Sequence, residues 1–295
     1  MKATLTIFTP AYNRAYTLHK CYESLKKQTN KDFEWLIIDD GSTDNTRELV
    51  QSWIEENIIP IKYHYQKNQG MHGAHNTAYE LIDTELNVCI DSDDYMPDDA
   101  VEKILKFWDK NKSDNIAGIA ALDAYESGEV IGNTFPKDLK TSTSFDMYYK
   151  HGVCGDKKFI YRTELTKKYP YPIFEGEKYV GLAYKYRKID LTHKLALMNE
   201  VVCNVEYMED GSSLNMLKQY KRNPKGFAFI RIDNMKNPKA SLKFKFKECI
   251  HYVSSSFISK NKNYLKESPC KILTVLAIPV GYVLYRYIIK STTEV

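Results

Sequence analysis

The sequence predicts an α/β protein built on a doubly wound, mostly parallel sheet, followed by a basic, mainly helical C-terminal extension. Three observations carry this. Four strand-then-helix units alternate over residues 5–111, the pattern of parallel strands joined by crossover helices. The composition is globular: 295 residues, 43% hydrophobic and 27% charged, which excludes disordered, collagen-like and disulfide-scaffold classes. Charge is split along the chain, with 16 Lys or Arg against 4 Asp or Glu in residues 216–295 (net +12) and 26 against 34 in residues 1–215 (net −8). The expected organisation is therefore a body over 1–215, with halves 1–110 and 111–215, and an extension over 216–295.

The elements follow in order. Residues 5–9 read as a strand, and residues 17–27 as a helix with Leu18, Cys21, Tyr22 and Leu25 on one face. Residues 33–38 form a second strand that ends at Asp39, Asp40, Gly41 and Ser42, a turn rich in helix-capping residues. Leu49, Val50, Trp53 and Ile54 repeat at helical spacing behind it. Residues 61–65 and 86–90 are the third and fourth strands, with helices predicted over 74–82 and 98–111.

In such a sheet, ligands lie at the carboxyl ends of the strands, and the unusual residues fall there. The four loops are residues 9–14, 39–42, 68–73 and 91–94. An acidic cluster directly after a buried apolar strand calls for a cation, and Asp91, Asp93 and Asp94 offer hard oxygen ligands for Mg²⁺ or Mn²⁺. Such a metal in turn suits a diphosphate.

Thr9-Pro10-Ala11-Tyr12-Asn13-Arg14, Ile38-Asp39-Asp40-Gly41-Ser42-Thr43-Asp44 and Ile90-Asp91-Ser92-Asp93-Asp94 resemble, in order, the signatures of the family 2 inverting glycosyltransferases. Residues 155–178 resemble a bacterial branch that adds sugars to cell-surface polymers such as polysaccharides and teichoic acids. The resemblance implies a GT-A fold and a nucleotide-sugar donor, most often linked to uridine diphosphate. It implies donor contacts from Pro10, Ala11, Tyr12, Asn13, Asp40, Asn76, Asp91, Ser92 and Asp93. Tyr12 would stack on the base, and Asp40 would accept the uracil N3 proton. Asp93, with Asp91, would hold Mn²⁺ or Mg²⁺, and Asp39 would be structural.

Two positions depart from the branch pattern. Met71 stands where a lysine often follows the glycines, so Lys67 or His72 is expected to neutralise phosphate. Leu182 stands where an acid is usual, about five residues after Glu177. An inverting displacement needs a carboxylate to take the acceptor proton; Glu177 is the first expectation for that base, followed by Asp156 and Glu175. Residues 206–213 resemble a segment that closes over the substrates.

The tail adds a location. Residues 272–285 carry no charge, but as a helix they span only about 21 Å, short of the ~30 Å hydrocarbon layer. With Pro279, Gly281, Arg286 and three interface-seeking tyrosines, the reading is a monotopic attachment to the inner face of the cell membrane, near a glycan or lipid-linked acceptor. No nucleic-acid module accompanies the basic residues. The N-terminus lacks a signal-peptide layout and the six cysteines form no C-x-x-C pair, so a cytoplasmic setting is expected. Two other readings compete: a nucleotide-sugar-binding or scaffold protein without a base, and a sugar nucleotidyltransferase. The second should open with a glycine-rich phosphate loop, and residues 9–14 contain no glycine.

Overall fold

The computed structural model describes residues 2–208 and 215–292. Strand β1 (Leu5–Ala11) is buried along nearly its whole length, as a strand must be when it is flanked in its sheet and covered on both faces. It pairs in parallel with β2 (Phe33–Asp39) on one side and β4 (Leu86–Cys89) on the other, and β2 pairs in parallel with β3 (Ile61–Tyr65). The crossover helices are α1 (Leu18–Lys26), α2 (Thr46–Glu56) and α3 (Met71–Leu81), with α4 (Ala100–Asn111) after β4. All four expected units are present. The chain runs outward through β1, β2 and β3 and then returns to the other side of β1, which opens a crevice where the strand order reverses.

The second half continues the sheet with mixed direction. It contains β5 (Ile116–Ala124), β6 (Thr141–Ser142), α5 (Ser144–Tyr149), β7 (Lys157–Arg162), α6 (Thr163–Lys167), α7 (Ala183–Ile189) and β8 (Lys194–Asn204). Strand β7 is antiparallel to both β4 and β5, β8 is parallel to β5, and the eight strands lie in the order β3-β2-β1-β4-β7-β5-β8-β6. The core beneath the first loops is aromatic. Tyr22 of α1 stacks on Trp53 of α2 at 4.3 Å between ring centroids, and Trp35 of β2 lies 5.9 Å from Trp53.

The C-terminal part is helical: α8 (Met216–Arg222), α9 (Pro224–Met235), α10 (Leu242–Ile258), α11 (Tyr264–Glu267) and α12 (Lys271–Ser291). The chain divides into two compact units, Met1–Pro170 with Lys185–Tyr207, and Tyr171–Tyr184 with Met208–Val295. Residues 171–184, expected in the body, thus belong with the helices. The backbone explains this: Gly226 of α9 lies so close to Tyr179 that a Cβ there would sit 2.3 Å from the Tyr179 carbonyl oxygen. The apolar tail segment is also longer than expected, a 21-residue helix that continues through Pro279 and past Arg286.

Candidate active site

The first two loops are sewn together by Asn13. It adopts a left-handed backbone (φ 54), which asparagine tolerates better than most residues. Its side-chain oxygen accepts from the Thr43 and Asp44 N–H groups at 2.7 and 3.4 Å, and its own N–H donates to Ser42 Oγ at 2.9 Å. Pro10 is half-buried and Ala11 buried, which leaves the Tyr12 ring presented to solvent at 49% exposure. An aromatic face held out by a rigid clip is ready to stack.

Asp39 and Asp40 are both buried. Asp39 accepts from the Ser42 N–H and the Tyr63 hydroxyl, the structural role expected of it. Asp40 accepts from Gln66 Nε2 (2.7 Å) and from the Gln69 and Gly70 N–H groups (2.8 and 2.7 Å), so it fastens the third loop to the second. In that third loop Lys67 is exposed, whereas His72 is fully buried within α3. A fully buried ring has no access to a phosphate in solvent, so of the two expected neutralising groups only Lys67 is accessible. His75 is also buried, and burial pushes its pKa down to about 3, leaving it neutral. Asn76 lies half-buried on the same helix.

The fourth loop holds the acidic residues in graded exposure: Asp91 exposed, Asp93 half-buried, Ser92 and Asp94 buried. A chain of contacts backs Asp91. Tyr79 Oη lies 3.3 Å from His75 Nδ1, His75 Nε2 lies 3.7 Å from Cys89 Sγ, and the Cys89 thiol donates to Asp91 Oδ1 at 3.6 Å. Beneath the loop, Lys158 of β7 donates to Asp94 Oδ2 at 3.3 Å and approaches Asp123, at the end of β5, to 3.9 Å. Burial raises Asp94 to about 7 and Asp123 to about 6, despite the counteracting Lys158 charge. Neither Asp123 nor Lys158 is among the site residues that the sequence singles out. A signal exists for Asp123, a carboxylate near the end of a nine-residue apolar strand much as Asp39 ends β2.

Asp156 is exposed just before β7 and is fixed by its neighbours. Two glycines with left-handed backbones, Gly132 (φ +76) and Gly155 (φ +75), cross so closely that a Cβ on either would meet the other segment's carbonyl at 2.1 or 2.5 Å. Lys157 Nζ nails the crossing by donating to the carbonyls of Ile131, Cys154 and Asp156. The Tyr207 hydroxyl donates to Asp156 Oδ2 at 2.6 Å. Residues 209–213 of the expected closing segment lie outside the described residues.

Glu177 has a different environment. It sits in the helical unit, 7% exposed, with Oε1 accepting from the Lys225 N–H (2.9 Å) and Oε2 from the Gly226 N–H (2.8 Å). Both oxygens therefore satisfy orphan donors in the first turn of α9, where a negative charge also meets the helix dipole. Glu175 is exposed, and Leu182 offers only its carbonyl, to Tyr171 Oη at 3.1 Å.

Among the described residues no group of three or more His, Cys, Asp or Glu side chains is placed to enclose a metal ion. Asp91 and Asp93 form a partial set, as an octahedral cation requires when the remaining ligands are waters and substrate oxygens. Lys158 engages Asp94 and Asp123, whereas Asp91 is exposed and Asp93 half-buried.

Comparison with known proteins bears on the family and the fold. The family model for glycosyl transferase family 2 matches residues 6–170. The hyaluronan synthase of Pasteurella multocida is 25% identical over 288 residues, covering 93% of this chain and 29% of that protein. The chain spans about a quarter of the length of the curated relatives it matches. Among solved structures, residues 1–349 of TarS from S. aureus in complex with UDP-GlcNAc superpose with TM-score 0.66 at 18% identity, covering 98% of this chain and 91% of that one. The mannosyltransferase PcManGT from Pyrobaculum calidifontis, in complex with GDP-Man and Mn²⁺, gives TM-score 0.58 at 17% identity, with 99% and 84% covered. These likenesses establish the GT-A-like fold.

Proposed function

As the chain belongs to glycosyl transferase family 2, we propose that it moves a sugar from a UDP-linked donor to a hydroxyl of a cell-surface glycan or lipid-linked acceptor, with inversion, in a single displacement. The observation that carries the reading is the convergence of four strand-end loops on one rim, with Tyr12 presented at one loop and Asp91 and Asp93 at another. TarS, of similar fold, binds UDP-GlcNAc.

In this mechanism Tyr12 packs on the base, with Pro10 and Ala11 shaping the floor beneath it. Asn13 and Asp40 hold the first three loops in place through the hydrogen bonds described; with both oxygens so engaged, Asp40 shapes the donor pocket through these loops. Asn76 and Ser92 line the donor. Asp93 and Asp91 would hold Mn²⁺ or Mg²⁺, which supplies charge neutralisation for the departing diphosphate when bound. PcManGT was solved with Mn²⁺. Asp156 takes the acceptor proton. It is preferred over Glu177 because it is exposed and, among the described residues, has one side-chain donor on one oxygen, whereas both oxygens of Glu177 are engaged by backbone N–H groups. The basic C-terminal region keeps the chain at the inner membrane face.

The engagement of Glu177 and the presence of Leu182 favour a second reading, a nucleotide-sugar-binding protein that does not turn over. A panel of UDP-sugars with Mn²⁺ separates the two. Metal-dependent donor binding with slow UDP release supports the transferase; binding with no release, and none restored by any glycan acceptor, supports the binding protein. Absence of binding to every nucleotide sugar would sink both.

A further inference from the structure

We propose that α12 lies flat in an anionic lipid surface, buried to one side of its axis, along the stripe Ile272, Val275, Leu276, Val280, Val283 and Tyr287. The inference deepens the membrane part of the reading above by assigning the face that binds and the orientation of the helix.

The two sides of α12 differ sharply. Its buried residues are Thr274, Ala277, Gly281 and Ile288, three of them small, at helical spacing on one face. They lie along α10, which runs in the same direction. Thr274 Oγ1 donates to Cys249 Sγ at 3.5 Å, a Cβ on Gly281 would sit 2.7 Å from Val253 Cβ, and Phe257 lies 5.8 Å from the Tyr282 and Tyr285 rings. The opposite face carries the stripe, with exposures of 79% at Ile272, 61% at Leu276 and 66% at Val283. At about 100° of rotation per residue, all six stripe residues fall within a single arc narrower than half a turn. Water-facing apolar stripes of this extent mark interaction surfaces.

Lipid is the occupant that matches the charges. Arg286 and Lys290 lie on the same side near the end of the helix, Lys271 starts it, and Tyr282 and Tyr287 add amphipathic rings. The region from 216 to 295 carries a net +12. A second copy of this chain would bring that charge against itself, whereas an anionic headgroup layer complements it.

Length does not decide between spanning and lying flat. An 18-residue stretch of the helix has mean hydropathy 1.8, and its 21 residues make about 31 Å of helix, enough to cross. The attachment to α10 decides it. A spanning α12 would either leave the Thr274, Ala277 and Gly281 seam without its partner or draw α10 into the bilayer. Helix α10 carries Lys243, Lys245 and Lys247 at its start and the buried Arg231–Glu248 pair on its flank, and charged groups are costly at that depth. An in-plane helix keeps the seam and buries only the stripe.

The test is sedimentation of the full chain with vesicles of phosphatidylcholine containing phosphatidylglycerol as a minor anionic component, at low and at high salt, without donor or acceptor. Binding is thus read independently of turnover, and failure here leaves the transferase reading standing. We expect the chain to pellet at both salts. The double variant Leu276→Glu/Val283→Glu should bind about 100-fold more weakly, with unchanged circular dichroism and thermal midpoint because both side chains face water. Sodium carbonate at high pH should release the bound chain. Three results would overturn the proposal: no pelleting with these vesicles at any salt, equal pelleting of the double variant, or resistance to carbonate. A concentration-dependent dimer dissolved by the same substitutions, without vesicle binding, would overturn it too and assign the stripe to a second copy.

Discussion

The sheet-bearing unit buries two carboxylates, Asp94 and Asp123, around one ammonium, Lys158, and places Asp91 and Asp93 above them. The helical unit gives its two inner carboxylates, Glu248 and Glu177, dedicated donors. Arg231 meets Glu248 at 3.1 Å, Asn234 donates to the same carboxylate at 2.7 Å, and Glu177 is satisfied by two backbone N–H groups. Carboxylates whose oxygens are taken up in this way serve structure. An unbalanced network carries a standing cost that a cation or a ligand relieves, which is why perturbed titrations gather at functional sites. On the function proposed, the contrast assigns chemistry to the first unit and architecture to the second.

Four substitutions break or sharpen this contrast. Asp156→Asn should lower kcat by about 1,000-fold while UDP affinity in Mn²⁺ stays within twofold; an unchanged kcat returns the base to another carboxylate. Next comes Lys185, which donates to the Thr166 carbonyl and lies 4.0 Å over the Tyr79 ring. Burial pushes its pKa from 10.5 down to about 7. Between those values the unfolded chain holds a proton that the native state releases, so this group makes stability rise as pH increases from 7 to 10.5. Lys185→Met should flatten that slope, removing a contribution of roughly 4 kcal/mol over the interval, read from denaturant midpoints at the two pH limits.

Asp93→Asn should weaken UDP binding in Mn²⁺ by about tenfold, the loss of one charged ligand. Equal affinity of the native chain with and without chelator would remove the metal from the reading. The smallest effect belongs to the second unit. Glu177→Gln should cost about 1 kcal/mol of stability as a weakened helix cap, with kcat per folded molecule within twofold. A large loss of turnover with stability intact would reverse the contrast and return Glu177 to the chemistry.

Residues 5–111 are legible in the sequence because each strand there is a short apolar run followed by a periodic helix, and because parallel pairing puts every strand end on one rim. That logic brings Asp91, Asp93 and Asp94 to the rim, and the choice of Asp91 and Asp93 among them comes from the family resemblance. The third helix begins at Met71 instead of 74, after a Gly70 with φ 82, a turn that hydrophobic period does not register. After α4 the strands insert out of order, and nothing local in Lys157–Arg162 says that β7 runs antiparallel between β4 and β5. Lys158 escapes a sequence reading because its partners, Asp94 and Asp123, belong to other strands and loops far from it along the chain. Glu177 reads as a base for the same reason: the N–H groups it satisfies belong to α9, far downstream. The apolar tail reads as ending at its first charge, Arg286, but an exposed arginine on a helix surface does not stop the helix.

Residues 171–184 leave the first unit, serve the second, and return. On a ribosome this has a temporal meaning. At about 5–20 residues per second, the Glu177 carboxylate emerges several seconds before the Lys225 and Gly226 amides it will meet, and in the interval Val180 has no α9 to pack on. The excursion must wait for α9. A chain shortened at the apparent boundary near 215 would therefore lose more than its tail, because it would keep a permanently stranded segment inside the part that remains.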